Sequence, residues 1–175
     1  MKTLIAYYSF TGNNAVLAAE LKDRLNADLY EIKEKKQRTA FTILFDILFN
    51  RTTKIQEPPI KADRYDSIIL LGPVWNAKIA TPLKSFIQLQ EGKLSQYVLV
   101  TVCGGRPGQQ EKIEQQLTKL AGQPPLLVTQ LALNDLLPPE RKRNTKNGTS
   151  YKIGKPDLKY FDPALTQLVG KLALV

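Results

Sequence analysis

The feature that most constrains the fold is an apolar run that passes through a short polar loop directly into a helical pattern. Residues 3–8 are largely apolar, residues 9–14 read Ser-Phe-Thr-Gly-Asn-Asn, and apolar side chains then recur at helical spacing. Such a turn directs the unpaired N–H groups of the first helical turn toward one point. The helix dipole and the hydroxyls of Ser9 and Thr11 also favour an anion there. Residues 9–14, the first loop, are therefore predicted to bind phosphate.

The residues of the first loop indicate which class of phosphate ligand it can bind. No lysine follows Gly12, as a triphosphate-binding loop requires, and one glycine stands where a dinucleotide-binding turn needs three. A terminal phosphomonoester, such as that of a mononucleotide, is the simplest ligand that remains. The alternative interpretation is an ordinary strand-to-helix turn in which Thr11 caps the helix.

Strand and helix patterns alternate along the rest of the chain. Strands are predicted over residues 2–8, 28–33, 66–71, 96–102 and 126–133, and helices over residues 12–25, 81–90, 109–121 and 163–172. This alternation predicts an α/β fold with a parallel sheet and right-handed crossovers. The first strand is expected to be central, with a strand on each side, because it is hydrophobic nearly throughout, whereas residues 28–33 alternate polar and apolar as a border strand does. We expect a single domain over residues 1–175.

Two further loops follow predicted strands. The second loop, residues 72–77, contains the one tryptophan of the chain, Trp75, and the third loop, residues 103–108, contains three glycines. Loops that leave the carboxyl ends of parallel strands share one edge of the sheet. In the second loop, the tryptophan offers a flat surface against which a planar ring can pack; the alternative is that it anchors the core. In the third loop, the glycines allow the backbone to approach a ligand closely.

These loops together resemble the flavodoxin family, whose phosphate loop runs hydroxyl, any residue, Thr, Gly, Asn, Thr. Here Asn14 replaces the final hydroxyl. The run from Leu70 to Trp75, with the helix that starts at Thr81, resembles the family's flavin-ring loop. The resemblance implies a flavodoxin-like three-layer α-β-α sandwich with a five-stranded parallel sheet of order 2-1-3-4-5, and FMN as cofactor. It implies these FMN contacts: Ser9, Phe10, Thr11, Gly12, Asn13, Asn14, Pro73, Val74, Trp75, Asn76, Cys103, Gly104, Gly105, Arg106 and Gly108.

By this resemblance the chain is a flavoprotein that carries electrons between a reductase and an acceptor. An NAD(P)H-dependent FMN oxidoreductase of quinone-like acceptors is the enzymatic alternative. A flavin-free module that binds an anion or a protein is the non-redox alternative. The chain has no histidine, and no paired carboxylates or metal-ligand cluster stand out, so we predict neither a catalytic residue nor a metal site.

Charge and composition bear on partners and compartment. The formal net charge of +9 favours a redox partner with an acidic surface, or a small acceptor. Nucleic acid is unlikely as a partner, because no recognition motif accompanies the charge. With a single cysteine, no signal peptide and no apolar run near 18 residues, we expect a cytoplasmic protein without a membrane span.

The resemblance is weakest over residues 36–60 and 134–157. A further helix is predicted over residues 39–51, and its residues 41–49 carry more apolar side chains than one helical face needs. The simpler interpretation is a deeply buried crossover helix, and the alternative is a homodimer surface or a wall beside the flavin pocket. Residues 134–157 form a long basic excursion, interpreted either as a solvated loop or as a docking site for an acidic partner or a dinucleotide phosphate.

Overall fold

The computed structural model describes residues 1–36, 52–94, 96–105, 108–137 and 151–173. The strands are β1 (Thr3–Tyr7), β2 (Asp28–Glu31), β3 (Ser67–Leu71), β4 (Val74–Trp75), β5 (Lys78–Ile79), β6 (Tyr97–Cys103) and β7 (Leu127–Ala132). The helices are α1 (Asn13–Leu25), α2 (Thr81–Leu89), α3 (Gln110–Ala121), α4 (Lys155–Leu158) and α5 (Asp162–Ala173). Short 3-10 turns cover Ala62–Arg64, Leu133–Leu136 and Lys159–Phe161.

Five parallel strands form one sheet in the order β2-β1-β3-β6-β7. Numbered among themselves along the chain, these strands follow the predicted order 2-1-3-4-5. Strand β1 pairs with β2 on one side and β3 on the other, so that Ile5 lies between Leu29 and Ile69. The central position of β1 and the border position of β2 are therefore confirmed.

Helices cover both faces of the sheet because neighbouring residues of each strand point to opposite sides. One core is built on α2 and α3, and the other on α1 and α5. The first contains Leu4, Ala6, Ile68, Leu70, Leu83, Phe86, Ile113 and Leu117. The second contains Ile5, Leu17, Leu21, Ile69, Leu71, Val98, Leu165 and Leu168. This arrangement is the predicted three-layer sandwich, and it explains why the inner strands are mostly apolar, with Thr3, Ser67 and Thr101 as their buried polar residues.

The main departure from the predicted elements is a small hairpin inside the second loop. Strands β4 and β5 pair antiparallel, with Val74 opposite Ile79 and Trp75 opposite Lys78. The turn between them consists of Asn76 and Ala77, with φ of 50° and 57°. A two-residue hairpin turn with positive φ at both positions usually has Asn-Gly there. Because alanine takes the place of the glycine, the hairpin has no strong signal in the sequence.

Some predictions lie outside the described residues. These are the helix over residues 39–51 with its proposed homodimer surface at residues 41–49, the part of the basic segment from residue 138 to residue 150, and Arg106. Within the described ranges, no helix is long and apolar enough to cross a membrane.

We predict that Phe86→Ala lowers the free energy of unfolding by about 3–5 kcal/mol. Phe86 is fully buried in α2 and packs on Tyr30 with ring centroids 5.8 Å apart, so truncation leaves a cavity under the sheet. Urea unfolding followed by circular dichroism measures the loss. The matched control is Leu89→Ala on the same helix, where the side chain is 53% exposed and the change should stay within about 0.5 kcal/mol. Equal losses in the two variants would contradict this account of the core.

Candidate functional site

The first and second loops meet at the carboxyl edge of the sheet. They leave β1 and β3, which are adjacent and parallel. The ring of Phe10 meets Trp75 edge to face, with centroids 6.1 Å apart and planes at 89°. Tyr8 packs on the same indole at 6.4 Å and 90°. Tyr8 belongs to the first core and the half-buried Trp75 packs against it, whereas Phe10 is 45% exposed, so this aromatic cluster extends from the core to solvent.

The first loop turns at Gly12 and starts α1 at the next residue. Gly12 has φ of 95°, a conformation that favours glycine, and its carbonyl accepts the N–H groups of Ala15 at 3.0 Å and Val16 at 3.1 Å. The hydroxyl oxygen of Ser9 also accepts the Ala15 N–H, at 3.1 Å. The residue at the cap position is Gly12, so the prediction that Thr11 caps the helix is wrong. The hydroxyl of Thr11 lies on an exposed residue instead.

The two asparagines of the first loop make hydrogen bonds inside the protein. The Asn13 side chain donates to the carbonyl of Tyr151 at 2.8 Å and accepts the N–H of Ile153 at 3.1 Å. The side-chain oxygen of Asn14 accepts the N–H of Val102 at 3.1 Å. Both residues are buried. Their side chains therefore fasten the start of α1 to β6 and to the segment before α4, while their backbone N–H groups belong to the first turn of the helix.

Asp157 holds the segment to which Asn13 binds. Its carboxylate accepts the Tyr151 hydroxyl at 3.1 Å and the N–H of Gly154 at 2.8 Å. The hydrogen bond to this carboxylate is the main cause that raises the pKa of the Tyr151 phenol. Residues 151–157 thus form a braced turn beside the first loop, which the sequence did not lead us to expect.

The second loop is held on two sides. In the hairpin, the N–H of Ala80 donates to the carbonyl of Pro73 at 3.0 Å. From α3, the side chain of Gln116 donates to the carbonyl of Ala77 at 2.7 Å and accepts the N–H of Ile79 at 3.4 Å. Pro73 and Val74 are half-buried and Asn76 is exposed at the turn. Trp75 therefore sits on a paired strand braced by a helix, which fixes the position of its ring more firmly than a free loop would.

The third loop begins at a buried thiol. Cys103 ends β6, and the Gln109 side chain lies 3.7 Å from its sulfur and donates to Gln130 at 2.5 Å. Burial is the main cause that raises the pKa of the Cys103 thiol, outweighing the hydrogen bonds from Gly105 and Gln109. The thiol form is thus favoured at neutral pH, consistent with our interpretation of Cys103 as a packing residue.

Gly105 packs closely against the neighbouring strand β7. It has φ of 78°, and a Cβ placed on it would lie 2.7 Å from the Cβ of Ala132 in β7. We expected the glycines of this loop to admit a ligand, but at Gly105 the close approach is to the neighbouring strand. Gly104 is half-buried. Gly108 has φ of 71°, and among the described residues other than its chain neighbours none has an atom within 4 Å of a Cβ placed on it.

We predict that Gly105→Ala costs more stability than Gly108→Ala. Both introduce a side chain at positive φ, which costs about 1–2 kcal/mol, but only Gly105→Ala adds an overlap with Ala132, worth about 1–3 kcal/mol more. Chemical denaturation of the two variants measures the difference. Ala132→Gly should recover part of the loss in the Gly105→Ala background, and the absence of any recovery would contradict the overlap as its cause.

Comparison with known proteins identifies structural neighbours and no sequence relatives. Neither a protein-family model nor a curated protein matches the chain. A flavoprotein from Lactobacillus acidophilus NCFM, crystallised in complex with FMN, has a TM-score of 0.64 and 23% identity over 74% of this chain and 92% of its own. Its apo-form, solved by NMR, has a TM-score of 0.60 and 22% identity over 74% and 91%. A candidate flavoprotein from Bacteroides eggerthii has a TM-score of 0.66 and 20% identity over 74% and 87%.

At these identities the likeness establishes the fold. The chain has the flavodoxin-like fold, as the sheet order and the helices on both faces of the sheet also indicate. The first and second loops occupy the edge of the sheet where open parallel sheets bind their ligands.

Proposed function

We propose that this chain binds FMN and carries electrons between a reductase and an acceptor. The observation that supports this proposal best is the contact between Phe10 of the first loop and Trp75 of the hairpin. It brings a loop suited to phosphate together with a partly exposed aromatic surface suited to a planar ring. FMN carries both of these groups in one molecule.

The residues of the first loop fit a phosphomonoester. The Ser9 oxygen accepts a backbone N–H, which leaves the hydroxyl proton to donate, and Thr11 adds an exposed hydroxyl. Apart from its neighbours in the chain, none of the described residues has an atom within 4 Å of a Cβ placed on Gly12, so there is room beside the turn. The α1 N-terminus contributes its N–H groups and dipole. The side chains of Asn13 and Asn14 would act by positioning this turn, and their backbone N–H groups would contribute to binding.

FMN would supply the electron exchange, and the chain's own residues would bind and shield it. Phe10 and Trp75 would exclude water from the ring system, and the hairpin would keep the indole in place. Burial favours the protonated form of the Cys103 thiol, so we assign this thiol no part in electron exchange. Hydride transfer to a flavin takes place on the cofactor itself, so the response of the loaded protein to NAD(P)H distinguishes the carrier from the enzymatic alternative. The flavoprotein of the same fold that was crystallised with FMN supports the choice of cofactor.

The phosphate contact is tested by titrating the flavin-stripped protein with FMN and, as a control, with riboflavin. We predict that Thr11→Val weakens FMN binding about tenfold, the value of one charge-assisted hydrogen bond, and leaves riboflavin binding unchanged. Flavin fluorescence measures both. The matched control is Thr166→Val, an exposed threonine on α5 that should change neither affinity. Failure of wild-type protein to bind FMN would overturn the proposal and favour the flavin-free alternative.

The electron-carrier function predicts how the loaded protein responds to reductants. NADH or NADPH alone should bleach the bound flavin slowly, and adding a flavin reductase should accelerate bleaching, because the carrier lacks a site of its own for hydride transfer. Stopped-flow absorbance at the flavin band measures both rates, with free FMN under the same conditions as the control. Rapid bleaching by NAD(P)H alone would contradict a carrier and favour the oxidoreductase.

A further inference from the structure

A basic groove lies between the hairpin and α3. It has a volume of about 530 Å³. The hairpin contributes Asn76 and Lys78, and α3 contributes Lys112, Gln115, Gln116 and Lys119. We call this surface the lysine groove. None of the described residues that line it is acidic.

The lysines concentrate positive charge on one side of α3. Lys112 and Lys119 are separated by seven residues, which places them on the same helical face about 10 Å apart along the axis. The pKa of the Lys84 ammonium is lowered, chiefly by burial and further by the positive charges of Lys78 and Lys119. Lys84 therefore lies within the electrostatic field of the groove lysines. The two acidic residues of α3, Glu111 and Glu114, are not among the residues that line the groove, and they accept hydrogen bonds from Gln115 and Gln110.

The chemistry of the lysine side chains and their spacing along the groove indicate which kind of molecule would bind there. Ammonium groups are compact and strongly hydrated, and they lack the paired donors with which arginine binds a single phosphate. None of the described lining residues is an arginine or an aromatic residue. Such a surface attracts and orients an extended negative surface more effectively than it encloses a small anion.

The lysine groove also connects directly to the candidate flavin site. Lys78 lies opposite Trp75 in the hairpin. Gln116 joins the two walls of the groove by donating to the carbonyl of Ala77 at 2.7 Å. A molecule seated in the groove would therefore touch the element that carries the indole.

We propose that an acidic protein surface docks in the lysine groove and that this protein is the redox partner. The second half of this statement rests on the proposed function, but the location and charge of the docking surface do not. Docking there would bring the partner beside the Trp75 hairpin, and the residues that line the groove do not include any from the first loop, so cofactor and partner would contact different residues.

The test uses the full-length chain without flavin and poly-L-glutamate as the acidic probe. Trp75 is the one tryptophan, so its fluorescence reports on the hairpin directly. We expect poly-L-glutamate to bind at low salt, and Lys112→Glu/Lys119→Glu to weaken binding by about tenfold or more. The matched control is Lys22→Glu/Lys171→Glu, which reverses two exposed lysines on α1 and α5 and changes the net charge equally. The control should weaken binding less than about threefold, as screened distant charges do.

Each other outcome overturns the proposal. No binding by the wild-type chain, or equal weakening in the two double variants, would show that the groove has no special affinity for acidic chains. Tighter binding of inorganic tripolyphosphate would assign a small-anion site, and tighter binding of oligodeoxythymidylate would assign a nucleic-acid surface. Circular dichroism melting of both double variants establishes that they are folded. Because no step requires FMN, a failed flavin titration and a failed docking test are distinguishable.

Discussion

Burial of β1, β3 and β6 between two layers of helices is the constraint on which the rest of the structure depends. A parallel strand covered on both faces is apolar along most of its length, and each return to the sheet requires a crossover. The crossovers place every strand-to-helix loop at the same edge. The polar residues of the first loop and the tryptophan of the second are therefore neighbours because of the topology, although they are more than 60 residues apart in the sequence. The position of the candidate site is therefore a consequence of the crossover helices that cover the two faces of the sheet.

Periodicity and the loop motifs are enough to predict the sheet order, the edge strand and the helices on both faces, because these depend on residue patterns that repeat along the chain. The features that were missed depend on single distant contacts. Asn13 binds residues 138 and 140 positions away, and Asn14 binds one 88 positions away. Nothing in the local sequence distinguishes such an amide from one that contacts a ligand. Likewise, the glycine at position 105 is explained by Ala132, and the hairpin has alanine at the turn position where glycine is the usual signal.

These distant contacts have a consequence for binding. A loop that must order itself around a ligand loses conformational entropy on binding, and that loss weakens affinity. Here the start of α1 is already fastened to β6 through Asn14 and to residues 151–153 through Asn13, and the hairpin is fastened to α3 through Gln116. Each hydrogen bond contributes only about 1 kcal/mol to stability. Their larger effect is to hold the donors of the first loop and the ring of Trp75 in fixed positions before any ligand arrives.

The lysine groove and the candidate flavin site differ in the kind of binding for which their residues are suited. A cofactor that stays bound needs fixed donors and an apolar wall, whereas an electron carrier must leave each partner quickly after contact. Exposed ammonium groups suit the second requirement, since they speed association and add little to the lifetime of the complex. At physiological ionic strength their field falls off within about 8 Å, which is close to the spacing of Lys112 and Lys119 along α3. Each lysine thus acts on the part of the partner directly opposite it, so the pair can fix the orientation of an acidic surface without binding it tightly.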